Sequence, residues 1–167
     1  MKLFLYIVGF IFLSSFGCKM NYSMTGADIE PNVQSVSVAF FMNNAALAHP
    51  NTGQLFTESL KDIMMNQTRL QLVVNKGDLQ YEGSITGYEV RPVAITGSET
   101  ASVNRLTITV QVKYTNTKNE KKNFENSFTR FADFESTQQL SSIEENLIQQ
   151  INDQLVQDIF DKSLSNW

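Results

Sequence analysis

The chain has 167 residues, with 13 Lys and Arg against 17 Asp and Glu, for a formal net charge of −4. It carries no basic excess of the kind nucleic-acid binding needs, so nucleic acid is not an expected partner. One cysteine, Cys18, and one histidine, His49, exclude an internal disulfide and a Cys/His zinc site, which leaves apolar packing as the source of stability.

Residues 1–17 read as an export signal. Lys2 supplies a positive start, Leu3 to Leu13 an apolar run interrupted by Gly9, and Ser14-Ser15-Phe16-Gly17 a run ending in a small residue before Cys18. The run is shorter than the ~20 residues of a lasting transmembrane helix. Small residues beside the cysteine suit a lipoprotein peptidase. Ser15 stands where the usual lipobox has an aliphatic residue. Cys18 is the expected lipidation site, becoming residue one with diacylglycerol on its thiol and a further acyl chain on its amine. The alternative is an ordinary cleaved signal that leaves Cys18 as a free thiol.

Residues 18–32 form the lipidated cysteine and a tether. Asn21, Ser23, Thr25, Gly26, Asp28, Pro31 and Asn32 give no apolar period. The fourteen residues after Cys18 reach roughly 45–50 Å when extended and about 20 Å as a relaxed coil.

Residues 33–167 read as one domain. Val36, Val38 and Phe40 alternate with Ser35, Ser37 and Ala39, as a half-buried strand requires. Asn43 to Pro50 is loop. Asn51 and Thr52 are helix N-cap types with Gln54 in capping-box position, and Leu55, Phe56, Leu60, Ile63 and Met64 recur at helical spacing to Met65. A short strand, Leu70 to Val74, and a turn at Asn75 to Asp78 follow. Leu79 to Val93 is a long strand whose inward set shifts at Gly87, which predicts a bulge.

After a loop over Thr96 to Ser102, Leu106, Ile108, Val110, Val112 and Tyr114 alternate with Arg105, Thr107, Thr109, Gln111 and Lys113. This strand has one wholly polar face. Phe124 to Phe134 is a further strand whose pattern breaks near Arg130. Ser141 and Glu144 suggest a capping box, and Ile143, Leu147, Ile148, Ile151, Leu155, Ile159 and Phe160 form the stripe of a helix ending near Ser163. The expected fold is α+β, a two-layer sandwich of a mainly antiparallel sheet of four to five strands with two helices on one face. The other face is left to water or a partner.

The catalytic inventory is thin. His49 precedes Pro50 in a loop, and the chain has no HExxH, G-x-S-x-G or phosphate-binding glycine loop. Asp133 and Glu135 could be imagined as an acid–base pair, but neighbours in sequence do not set the spacing of a cleft. The aromatic residues between 124 and 134 read as core rather than as a ligand platform. An enzyme is not expected, and neither a metal nor a cofactor.

Four blocks carry a family resemblance: Phe56 to Asp62 (FTESLKD), Gly77 to Gly83 (GDLQYEG), Val90 to Ala94 with Asn104 to Val110 (VRPVA, NRLTITV), and Phe128 to Phe134 (FTRFADF). Over essentially the whole mature chain the sequence resembles LptE, the lipopolysaccharide-assembly lipoprotein, in the form found in Bacteroidetes. The resemblance implies an outer-membrane lipoprotein, lipid-anchored on the periplasmic leaflet, that plugs and helps assemble the β-barrel LptD and binds lipopolysaccharide. It also implies helices packed on a small sheet. The absence of an acidic run after Cys18-Lys19-Met20-Asn21 favours the periplasmic leaflet. No lipopolysaccharide-contact residue carries over by position. On chemical grounds, a protein handling an anionic glycolipid places Arg and Lys where they reach its phosphates. Arg91 and Arg105 bracket the Pro92 to Asn104 connection, and Lys113 and Arg130 extend the basic set along the sheet. Solvated strand residues, or partners of Glu89, Glu99 or Asp133, are the plainer reading of the same four. The alternative functions are a periplasmic scaffold lipoprotein of another envelope machine and a lipid-anchored hydrolase.

Overall fold

The computed structural model describes residues 28–93 and 103–165. The signal, Cys18, most of the tether and the connection over 94–102 lie outside them. Six strands, β1 (Ser35–Val38), β2 (Met42–Asn43), β3 (Gln71–Leu72), β4 (Leu79–Val93), β5 (Val103–Asn116) and β6 (Phe124–Glu135), join two helices, α1 (Thr52–Gln67) and α2 (Leu140–Leu164). The sheet runs β3-β1-β4-β5-β6, with β2 also beside β4. β4, β5 and β6 are antiparallel neighbours, whereas β1 is parallel to β3 and β4, and β2 is parallel to β4. The fold is therefore α+β with a mixed sheet, one strand richer than the alternation predicts. The extra strand, β2, has only two residues, too few to show a period.

Both helices pack on one face of the sheet, as expected. Leu147, Ile151, Leu155 and Ile159 of α2 are buried with Leu106, Ile108, Val110 and Val112 of β5. Phe56, Leu60 and Met64 of α1 complete the same core. The predicted bulge is present, the β4–β5 register shifting between Ile85 and Gly87.

Four local expectations fail for identifiable reasons. Phe40 is 61% exposed and Phe41 is fully buried instead. β1 ends at Val38, so the alternation changes phase before β2. Phe41 then meets Phe56 edge-on with ring centroids 4.8 Å apart. Glycines make that approach possible: a Cβ at Gly53 would lie 2.3 Å from the Phe41 carbonyl oxygen, and one at Gly83 2.7 Å from the Phe41 ring and 2.0 Å from the Gln111 carbonyl oxygen. Neither capping box forms. Gln54 donates to Glu58 one turn on, at 3.0 Å. α2 starts at Leu140 with Gln139 as its N-cap, so Ser141 and Glu144 lie inside the helix, and Glu144 accepts from the Tyr88 hydroxyl. Finally, β6 does not break at Arg130: its pairing with β5 runs unshifted from Phe124 to Glu135, with Arg130 opposite Ile108 on the helix face. Arg130 tolerates that side because its Nε and Nη2 donate to Asp158 of α2, each at 2.6 Å.

One core feature is costly. Asn152 is fully buried in α2, and neither its Nδ2 nor its Oδ1 has a hydrogen-bond partner. A buried amide without partners costs about 1–3 kcal/mol per unsatisfied group. Asn152→Leu, close in volume, is expected to raise the urea midpoint of the domain. A lowered midpoint would show that the amide is satisfied by a buried water.

At one end of the sheet the chain entry is clamped. The Asp28 amide donates to the Leu164 carbonyl at 2.6 Å, and Lys122 meets Glu30 at 3.0 Å. Asp78 accepts from the backbone N–H groups of Gln34 and Ser35 at 2.9 and 3.1 Å and pairs with Lys118 at 3.0 Å. The Gln34 amide, then Lys118 and Ser35, hold its carboxyl far below the ordinary carboxylate value. The chain that leads back to Cys18 thus leaves from a fixed point, at the opposite end of β4 and β5 from their hairpin connection.

Candidate functional site

The face of β4, β5 and β6 turned away from the helices carries the polar alternates of each strand. Register places Glu82, Lys113 and Glu125 in one row, Glu89, Thr107 and Phe131 in another, and Arg91, Arg105 and Asp133 in a third. The alternation that buries Leu106, Ile108, Val110 and Val112 necessarily turns Arg105, Thr107, Thr109, Gln111 and Lys113 outward. The centre of the face is uncharged, with the Thr109 and Thr129 hydroxyls 3.0 Å apart.

Of the four basic candidates, the structure brings two together. Arg91 and Arg105 are direct register partners beside the hairpin connection. Lys113 shares their face but lies eight residues along β5 from Arg105, about 26 Å at strand spacing. Arg130 is on the helix side and outside this surface. All four have carboxylate partners. Arg105 donates from Nε and Nη2 to Asp133 at 2.6 and 2.8 Å, and its guanidinium carbon sits 3.6 Å from the centroid of the Phe131 ring. This hydrogen-bonded pairing raises the Arg105 pKa and lowers that of Asp133. Arg91 meets Glu89 of its own strand at 2.8 Å and Lys113 meets Glu82 at 3.7 Å.

These pairs are not equivalent. Arg91 and Glu89 are both more than half exposed, so their attraction is worth ~0–1 kcal/mol and is open to exchange for a ligand anion. Arg105 is held bidentately and stacked, leaving Nη1 free of that pair. Sequence reasoning treats Phe131 as core. It is 46% exposed and forms the base on which Arg105 rests. Its odd position relative to Phe124, Phe128 and Phe134 is the signal that would have placed it outward. Nothing local in the sequence marks Asp158 as the partner of Arg130.

No group of three or more His, Cys, Asp or Glu side chains could hold a metal ion among the described residues. His49 is exposed in its loop, where Nδ1 accepts from the Asn51 amide at 3.4 Å. The groove between the helices, about 310 Å³ and lined by Ser59, Asp62, Ile63, Gln149, Asp153 and Val156, is a seam whose polar groups bond one another: Gln149 donates to Ser59 at 3.4 Å and to Asp153 at 2.9 Å. No helix of the described residues is long and apolar enough to cross a membrane.

Fold and surface together define a two-layer α+β domain with both helices on one sheet face and an open, charge-paired face on the other. Residues 33–163 match the family described as LptE, lipopolysaccharide-assembly. The chain belongs to that family. Solved structures share the fold at low identity. A minor lipoprotein of Acinetobacter baumannii is similar with a TM-score of 0.51 and 16% identity, over 78% of this chain and 91% of that one. Lipoprotein B of Nitrosomonas europaea gives 0.51 and 19% over 86% and 88%, and a hypothetical protein of Chlamydia trachomatis 0.53 and 10% over 80% and 99%. No curated protein matches the chain in sequence.

Proposed function

We propose that this chain is an outer-membrane lipoprotein of the lipopolysaccharide translocon, held through Cys18 on the periplasmic leaflet, that plugs and helps assemble an LptD-like β-barrel and binds lipopolysaccharide without catalysing a reaction. The observation that carries the reading is the family match, which spans nearly the whole described domain. The physical requirements of a plug agree with it. A large barrel has an aqueous lumen, so its plug needs a rigid body and a polar surface. Here the helices close one face of the sheet with a continuous core, and the other carries Thr, Gln, Arg and Lys. The experiment is copurification in mild detergent. The full-length chain should bring down a large outer-membrane barrel; recovery of other envelope proteins without a barrel would favour the scaffold reading instead.

For lipopolysaccharide we assign the Arg91–Arg105 pair as the anion-binding point, with Lys113 as a distant second contact on the same face. The two arginines are register partners on one face, and a guanidinium suits a phosphate because it presents paired donors in a plane. Charge reversal at both, Arg91→Glu with Arg105→Glu, is expected to weaken lipopolysaccharide binding and flatten its salt dependence. Arg91 is exposed and Arg105 half-buried against Asp133, and the variant sets three carboxylates in one row, so some loss of stability is expected. Arg91→Gln with Arg105→Gln, which removes the charges without that repulsion, should weaken binding while the folding transition and barrel recovery hold. Unchanged binding in this second double variant would exclude this pair.

A further inference from the structure

The two edges of the sheet are treated differently. On one side β3 and β2 have two residues each, and β4 beyond Ile85 carries Pro92, which cannot donate to a ladder. Short strands and proline are the usual devices that stop a sheet edge from pairing further. On the other side, β6 runs twelve residues with no proline, glycine or bulge, pairs with β5 throughout, and has no strand on its outer side among the described residues; beyond the ladder only its last carbonyl, of Glu135, is engaged, by the Gln138 amide at 3.0 Å. Eight of its twelve residues are exposed, including Asn126 and Arg130 on the helix side, while Ala132 and Phe134 are buried in the core and Arg130 reaches Asp158 of α2.

The side chains along this edge select what could pair with it. Its outward row is Glu125, Ser127, Thr129, Phe131, Asp133 and Glu135, with three carboxylates and no cation. Asp133 is neutralised by Arg105, while Lys113, the register partner of Glu125, meets Glu82 at 3.7 Å. Glu125 accepts from the Gln111 amide at 3.3 Å, and Glu135 from Thr137 at 3.4 Å. A second copy is disfavoured: antiparallel self-pairing centred on Thr129 sets Glu125 against Asp133, and centred on Arg130 it sets Glu125 against Glu135 and Arg130 against itself. Like charges directly opposite destabilise strand pairs. A strand with Lys or Arg at alternate positions would match the same row.

We propose that β6 is a strand-addition edge, on which an extended segment of the partner barrel, carrying Lys or Arg on the side that faces Glu125 and Glu135, extends the sheet. Backbone hydrogen bonds hold the segment, and the carboxylate row selects it. This rests on the reading of the chain as a barrel partner. The test is hydrogen exchange on the full-length chain, free and copurified with its barrel. Amides of residues 124–135 should slow by about tenfold or more in the complex, as protection by new backbone bonds requires. Glu125→Lys with Glu135→Lys should lower barrel recovery by about tenfold. Glu58→Lys with Glu145→Lys, which changes the net charge equally at exposed helix sites, should leave recovery unchanged. Unaltered exchange in β6 within an intact complex, or equal recovery of both double variants, overturns strand addition while leaving the translocon reading in place. Failure of the wild-type chain to bring down any barrel overturns both.

Discussion

Ile151→Ala is expected to destabilise the domain by roughly 2–5 kcal/mol. Ile151 is fully buried on the stripe facing β5 and β6, between Leu147 and Leu155. Removing its side-chain atoms loses their transfer energy and leaves a void. The void cannot close, because Leu106 and Ile108 on one side and Ile148 on the other sit on regular elements and are themselves fully buried. Gln149→Ala, two residues away, should cost a few tenths of a kcal/mol, as exposed substitutions usually do. Its amide makes one good bond, to Asp153 on the same helix, and a 3.4 Å contact to Ser59. Urea unfolding of the two variants measures the difference; equal small losses would place the wrong face of α2 on the sheet.

The second large effect is expected at Cys18. Burial of acyl chains contributes about 0.8 kcal/mol per methylene, so a protein carrying two or three chains stays in its bilayer, whereas one without them leaves it. Cys18→Ser should therefore move from the membrane fraction to the soluble fraction nearly completely, with the folding transition of residues 33–165 unchanged. Intact-mass measurement on the wild-type protein supplies the chemical check. A Cys18 without an acyl group would remove the anchor from the account and leave the domain argument standing.

The elements legible in the sequence are those where one face repeats long enough to be counted. β4 begins and ends where the alternation places it, with the bulge at Gly87, because fifteen residues of period two leave little freedom. β5 and α2 are as clear. β2 is invisible because two residues have no period. The exchange of Phe40 for Phe41 is invisible because the phase change follows from where β1 ends, which depends on its parallel pairing with β4 rather than on local preference. The capping box at Ser141 and Glu144 fails because α2 starts earlier than the pattern places it, at Leu140 with Gln139 as N-cap, and Glu144 instead meets a buried tyrosine 56 residues earlier. At the candidate site, the juxtaposition of Arg91 and Arg105 follows from the hairpin alone. The position of Arg130 on the helix face does not, since the carboxylate that stabilises it there, Asp158, is on another element.

The most direct test of the central claim is crosslinking in living cells from a photoreactive residue at Thr109, in the middle of the open sheet face. A plug presents that face to the barrel. The account predicts an adduct with a large outer-membrane β-barrel, dependent on Cys18 and absent when the photoreactive residue stands in the buried core at Ile108. Adducts confined to periplasmic proteins, with no barrel among them, would contradict it.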